Sequence, residues 1–253
     1  MNKMITIKSK AEIELMKIAG RVTGETLKRV EEAVKPGVTT NELNKIAEDY
    51  IRSQGCLPSF KGYGGFPATV CASVNDVIIH GFPNNEPLRE GDVVSIDVGA
   101  CWKGYHGDAA RTFAVGKISD EAQRLIDVTK ESFFEGLKFC KESFRVSDIS
   151  GAVQSFVEEN GFSVLRDFCG HGIGAEMHED PEIPNYVSKR ERGARLKAGM
   201  CIAVEPMVCQ GKKDYFIADD GWAVFTKDGK LSAHYENSIL ITDGEPLLLT
   251  YVD

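Results

Sequence analysis

Long apolar runs are missing from this chain. No stretch approaches the ~20 residues that cross a bilayer, and the opening MNKMITIKSK holds no apolar segment of a secretory leader. These absences exclude a membrane partner and predict a soluble, cytoplasmic protein. Ordered cysteine is missing too. The seven cysteines, at 56, 71, 101, 140, 169, 201 and 209, are odd in number and form no C-x-x-C pair. That pattern excludes a disulfide framework or a zinc finger and fits free thiols in a reducing compartment. An excess of positive charge is also lacking: 30 basic against 38 acidic residues leave a net charge of -8. Such a surface excludes non-specific binding to DNA. The run Lys189-Arg190-Glu191-Arg192, with Arg195 and Lys197 behind it, is a local exception and reads as a solvated loop.

Helix signals come early. Ser9 with Glu12, and Thr39 with Glu42, are capping boxes. The stripe Ile13, Met16, Ala19, Val22, Leu27 and Val30 follows the first, and Lys35-Pro36-Gly37 stops it. Leu43, Ile46, Ala47, Tyr50 and Ile51 carry the second helix to Gly55. Glycine and Pro67 exclude a helix from the stretch holding Phe60, Tyr63, Phe66 and Cys71. Ser119 opens a third helix with Leu125, Ile126, Phe133 and Leu137, and a fourth runs from about Ser147 to Glu159. From Phe162 on the chain reads as strand and turn, with a hairpin turning at Lys227-Asp228-Gly229-Lys230. Helices followed by strands, twice over, predict an α+β fold with an antiparallel-rich sheet covered by helices.

The centre of the chain is Gly91 to Phe113. Val94, Ile96 and Val98 alternate with Ser95, Asp97 and Gly99, the period of a half-buried strand. A turn near Trp102 and Lys103 places Asp97 and Asp108 roughly opposite each other on one face. Facing carboxylates repel unless one is protonated or a cation lies between them. The second half repeats the pattern. GMCIAVEPM aligned under Gly91 to Gly99 sets Glu205 beneath Asp97, and His234-Tyr235-Glu236 matches His106-Gly107-Asp108. Val38 to Gly55 likewise resembles Val146 to Gly161. We read an internal duplication with halves of roughly 1–117 and 118–253, sharing one domain and one site. Four acids converging on a pseudo-two-fold axis do not stay charged together without metal.

Only five histidines are present. His171, in Cys169-Gly170-His171-Gly172-Ile173-Gly174, has flanking glycines that let the backbone approach a ligand, and it suits a neutral imidazole in an oxygen-rich site. His80 and His178 are either substrate-facing donors or strand-end residues. His106 and His234, in equivalent places, either orient Asp108 and Glu236 or pack.

The motifs VNDVIIHGFP, SIDVGACWKGYHGDAARTF, FCGHGIGAEMHEDPEIPNY, AVEPM and SAHYENSILIT together resemble those of the bacterial type I methionine aminopeptidases. The resemblance spans essentially the whole chain. It implies the duplicated pita-bread fold and removal of N-terminal methionine from peptides and nascent chains with a small second residue. It also implies two divalent ions held by Asp97, Asp108, His171, Glu205 and Glu236, with Asp108 and Glu236 bridging them. A hydroxide between the ions would attack the first peptide bond. His80 and His178 would meet the substrate carbonyl or amide and the tetrahedral intermediate, with Glu205 sharing proton transfer. Such ligands do not choose among Mn, Fe, Co and Zn. The walls of the methionine pocket would be Phe60, Tyr63, Phe66, Cys71, Met177 and Trp222. Phe60 departs from the small thiol often found there, and Met177 from an aromatic; Phe60 either narrows the pocket or turns away.

The absence of a cysteine-rich extension and of a large helical insertion fits the short bacterial subtype, expected as a monomer. A ribosome contact through Lys212, Lys213, Lys227 and Lys230 is a further expectation. Two alternatives share the fold: an X-Pro peptidase or creatinase-like hydrolase, and a non-catalytic binding protein. The first usually carries a leading domain, whereas a capping box begins here at Ser9; creatinase-like members also lose metal ligands, and retention of every ligand with His80 and His178 argues against a non-catalytic protein.

Overall fold

The computed structural model describes residues 5–188 and 192–252, so Lys189, Arg190 and Glu191 of the basic run lie outside the described residues. Four helices form where capping and apolar periodicity place them: α1 (Lys10–Ala33), α2 (Thr40–Ser53), α3 (Asp120–Leu137) and α4 (Val146–Glu159). Both capping boxes close. The Ser9 hydroxyl accepts from the Glu12 N–H while the Glu12 carboxylate accepts from the Ser9 N–H, and Thr39 with Glu42 does the same. Each such cap contributes about 1 kcal/mol. None of the described helices is long and apolar enough to cross a membrane.

The strands of the first half are β1 (Leu57–Pro58), β2 (Val70–Val74), β3 (Val77–Ile79), β4 (Val93–Trp102) and β5 (Tyr105–Ala114). After α4 come β6 (Ser163–Val164), β7 (Cys169–Gly172), β8 (Glu179–Pro184), β9 (Cys201–Val204) and β10 (Met207–Cys209). The chain ends with β11 (Tyr215–Ile217), β12 (Val224–Thr226), β13 (Ser232–His234), β14 (Asn237–Leu240) and β15 (Leu247–Leu248). All described pairings between these strands are antiparallel, which gives the expected α+β architecture. One correction concerns Lys227–Lys230. A turn is there, with the Asp228 carboxylate accepting from the Lys212 and Lys230 N–H groups, but it makes no hairpin. It joins β12, which pairs with β11 and β3, to β13, which pairs with β10. Alternation identifies strands but not partners drawn from distant chain.

The β4–β5 hairpin turns at Lys103 (φ 50°) and Gly104 (φ 82°), the two left-handed positions of a tight hairpin. Its register therefore differs from the expectation by two residues: Asp97 pairs with Ala110 and Asp108 with Gly99. The acids share a face, as expected, but stand diagonally rather than opposite.

The second half builds a longer interrupted hairpin. β9 pairs with β14 through Val204↔Asn237, and β10 with β13 through Met207↔His234, in one continuous register. The ladder breaks between them at Glu205-Pro206, where proline has no N–H to give. Glu205 and Glu236 thus face each other at the gap.

The two hairpins meet along β5 and β13–β14. The Glu236 N–H donates to the Ala110 carbonyl at 2.9 Å. Side chains bridge the rest of this seam, the Arg111 guanidinium donating to the Glu236 carbonyl and to Asn237 Oδ1. Ser238 Oγ accepts from the Asp108 N–H and donates to its carbonyl, both at 2.9 Å. Thr112 Oγ1 does the same for His234 at 2.8 and 3.0 Å. Asp108 beside Ser238 and Glu236 beside Ala110 is one arrangement seen from either side of a pseudo-two-fold axis. Packing fixes it from outside: α1 crosses β5 at Gly107, where a Cβ would stand 2.7 Å from the Gly20 Cα.

Candidate metal centre

The seam gathers the acids. Ligand atoms of Asp108, His171 and Glu236 all lie within 4.8 Å of one another. His171 Nε2 is 3.7 Å from Asp108 Oδ2 and 3.7 Å from Glu205 Oε1. The Asp97 carboxyl adjoins that of Asp108. Burial, then the neighbouring acids, raises Asp97, Glu205 and Glu236 well above the usual carboxylate range. Burial pushes Asp108 up to about 7, against hydrogen bonds from Asp97 and the Ala109 N–H. Burial beside these acids also raises the Cys71 thiol, which stays protonated.

His171 is not the cationic partner of these acids. Burial lowers it to about 4, so it is neutral near pH 7. Its Nδ1 contacts the Gly172 carbonyl at 2.8 Å, an arrangement that places the proton on Nδ1. The Nε2 lone pair then faces carboxyl oxygens of Asp108 and Glu205 at 3.7 Å, beyond hydrogen-bonding distance. Asp97 Oδ1, Asp108 Oδ1, Glu236 Oε1 and His234 Nε2 are buried with no hydrogen-bond partner. Buried polar atoms without partners are costly, and several of them around one point fit divalent cations. Oxygen donors with one imidazole match Mn, Fe, Co or Zn.

Beside the acids opens a slot of about 160 Å³. Phe60, Tyr63, Phe66, Cys71 and Trp222 line it together with His80 and His178. Phe60 faces the slot instead of turning away. Met177 is not among the lining residues; it is buried in the same apolar cluster as Phe60, Phe66 and Cys71, behind the wall. His178 Nδ1 lies 2.8 Å from the Tyr63 hydroxyl, and its ring centre is 4.3 Å from that of His171. His80 adopts φ 59°, a left-handed conformation that costs a non-glycine residue roughly 1–3 kcal/mol. The next residue fixes it in place: at Gly81 a Cβ would meet the Ala72 carbonyl at 2.3 Å. Burial, then the nearby His178, lowers His80 to about 4, so its ring is neutral near pH 7.

His106 and His234 separate. His106 Nδ1 contacts Ser59 Oγ at 2.9 Å, away from Asp108. His234 Nε2 approaches Glu205 Oε2 at 3.7 Å rather than its chain neighbour Glu236. Sequence reasoning missed Phe168, whose ring centre is 6.0 Å from that of His80, and Phe82, 5.3 Å from Phe66. Their positions inside the FCGHGIGAEMHEDPEIPNY and VNDVIIHGFP motifs were the available signal. A second groove, about 430 Å³, runs between α1 and α3. Its lining mixes Lys28 and Lys130 with Glu31 and Asp127.

Buried acids and one imidazole at the base of an apolar slot, on a two-fold antiparallel scaffold, define a metal-dependent hydrolase centre. The model of metallopeptidase family M24 matches residues 14–243, and the chain belongs to that family. It is 54% identical over 249 residues to a methionine aminopeptidase of Clostridium perfringens, covering 98% of this chain and 100% of that one. It is 46% identical over 249 residues to methionine aminopeptidase 1 of Bacillus subtilis, with 98% and 100% covered. The crystal structure of methionine aminopeptidase from Thermotoga maritima superposes with a TM-score of 0.96 at 41% identity, covering 98% of this chain and 100% of that chain. The pita-bread fold of these relatives is the fold described above.

Proposed function

We propose that this chain is a methionine aminopeptidase that removes N-terminal methionine from peptides and nascent proteins with a small second residue. The observation that carries the reading is the orphaned acid cluster at the base of the apolar slot. Halves 1–117 and 118–253 form one catalytic unit, because each supplies two of the acids. Asp108 and Glu236, on the seam, would bridge two divalent ions; Asp97 would hold one, and His171 with Glu205 the other. Bound divalent ions supply Lewis acidity and lower the pKa of a coordinated water.

The chain's own groups do the rest. Glu205 takes up the proton lost by the attacking water. Neutral His80 donates a hydrogen bond to the substrate carbonyl. His178, oriented through Nδ1 by Tyr63, presents its other nitrogen to the reacting amide. Phe60, Phe66, Cys71 and Trp222 enclose an unbranched thioether and exclude water. Exposed Tyr63 and His178 at the mouth restrict the second residue.

Lys212 and Lys213 are exposed, and Asp228 ties their loop to the one carrying Lys227 and Lys230. This combined basic loop is the surface for a ribosome contact in the cytoplasm, made by a monomer. If replacing the four lysines by Glu leaves ribosome co-sedimentation unchanged, that contact is wrong. For the activity, protein reconstituted with Mn, Fe, Co or Zn should release Met from Met-Ala-Ser and leave Leu-Ala-Ser and Met-Lys-Ser nearly uncut. Faster turnover of an X-Pro dipeptide would overturn the reading.

A further inference from the structure

His178 ends the loop that follows β7, its ring centre 4.3 Å from that of His171. Gly174 starts it, with its carbonyl accepting from the His106 N–H at 2.9 Å. Ala175 and Glu176 are exposed. At the far end, next to His178, Glu179 opens β8 opposite Gly172.

The Glu179 carboxylate uses both oxygens. Oε1 accepts from the Glu176 N–H at 3.2 Å, closing the loop on itself. Oε2 accepts from Lys8 Nζ at 2.6 Å and from the Thr6 hydroxyl at 2.5 Å. The Lys8 and Glu179 side chains are only 4% and 9% exposed. Lys8 is itself fixed, its N–H donating to the Gly199 carbonyl at 2.8 Å, one residue before α1 is capped. Gly174 leaves room for the pair: a Cβ there would stand 2.5 Å from both Glu179 Oε1 and Lys8 Cε.

A buried ion pair adds little stability over an apolar pair of the same shape, because desolvation cancels most of the attraction. What it does supply is direction, since three donors converge on one carboxylate. We infer that Lys8 and Glu179 are positioning residues that hold the 174–178 loop, and with it the His178 ring, over the acid cluster. The inference deepens the aminopeptidase reading and rests on it. Neither residue touches the substrate; both act through His178.

Four variants test it on the metal-loaded enzyme: Lys8→Met, Glu179→Gln, the two combined, and Gly174→Ala. The combined variant removes both charges yet leaves an acceptor for the Glu176 N–H. The single variants should lower kcat on Met-Ala-Ser by about ten- to a hundred-fold, the scale of a misplacement near 1 Å, while KM and calorimetric Mn affinity change little. Amide exchange in residues 174–178 should quicken, and the His178 ring ¹⁵N resonances should shift. The combined variant should recover the thermal midpoint but not kcat.

Three results overturn the inference: single variants that lose thermal stability alone, a combined variant that recovers kcat, or unchanged exchange and resonances. A wild-type protein that leaves Met-Ala-Ser intact would defeat the aminopeptidase reading instead. The exchange and resonance measurements would still decide the positioning.

Discussion

Asp97 and Asp108 stand diagonally on one face of the β4–β5 hairpin, Asp97 opposite Ala110 and Asp108 opposite Gly99. Diagonal side chains across an antiparallel pair are about 7–8 Å apart at the backbone, so the two carboxyls converge from separate positions. The glycine in this square admits the slot wall. A Cβ on Gly99 would meet Ser59 Cβ at 2.8 Å and Phe60 Cε1 at 3.0 Å.

Gly99→Ala should therefore push Phe60 out of place and reshape the slot without touching a metal ligand. The expected result is a KM for Met-Ala-Ser raised several-fold, with calorimetric metal affinity unchanged. An unchanged KM would mean that Phe60 does not contact the methionine side chain.

His80→Ala should bind metal as the parent does and lose most of kcat. Removing one preorganised donor costs about 10²–10³-fold. Metal titration and single-turnover assays on the variant separate the two effects. Loss of metal instead would place His80 among the ligands.

Metal binding should depend on pH with a definite sign. Asp108 is pushed up to about 7, and Asp97, Glu205 and Glu236 are raised above the carboxylate range by burial. The folded metal-free chain thus holds protons that the unfolded chain has released. Their contribution to stability is complete below the ordinary carboxylate range near pH 4 and is lost as pH rises through about 7 and above. The buried imidazoles His80 and His171, lowered to about 4, act in the opposite sense, but only below their ordinary value near 6.5. From about pH 7 to 8.5 the metal-free protein should lose thermal stability while Mn affinity rises and binding releases protons. Calorimetry in buffers of different ionisation enthalpy measures the release. Asp97→Asn should weaken at least one ion.

Thr112→Val tests the seam. It leaves the His234 N–H and carbonyl without the bridging hydroxyl. One buried backbone donor left unpaired costs about 1–3 kcal/mol, and in a chain of this length each kcal/mol lowers the thermal midpoint by about 2–4 °C. Differential scanning calorimetry reads the loss. An unchanged midpoint would mean that water replaces the hydroxyl.

Much of this molecule was legible in one dimension because local rules wrote it. Ser9 and Thr39 start helices since their hydroxyls bond three residues ahead, and Val94, Ile96 and Val98 alternate since a strand repeats every two residues. The repeated acids were legible for another reason: carboxylates at equivalent places in two copied units imply convergence and hence a cation. Turn geometry and distant strand partners were not legible. The turn at Lys103-Gly104, which shifts Asp108 from Asp97 to Gly99, depended on which residues take positive φ. The separation of β12 from β13 depended on partners as distant as β3 and β10.

By itself the sequence determined the helices, the hairpin carrying Asp97 and Asp108, and the five side chains that crowd around one point. Periodicity, capping and charge repulsion act between near neighbours or through residue identity alone. Tertiary structure alone decided that Glu205 faces Glu236 across a proline gap, that Met177 lies behind the slot wall, and that Lys8 reaches Glu179. Those relationships join segments far apart in the chain, where packing and desolvation choose the partner and no spacing in the sequence records it.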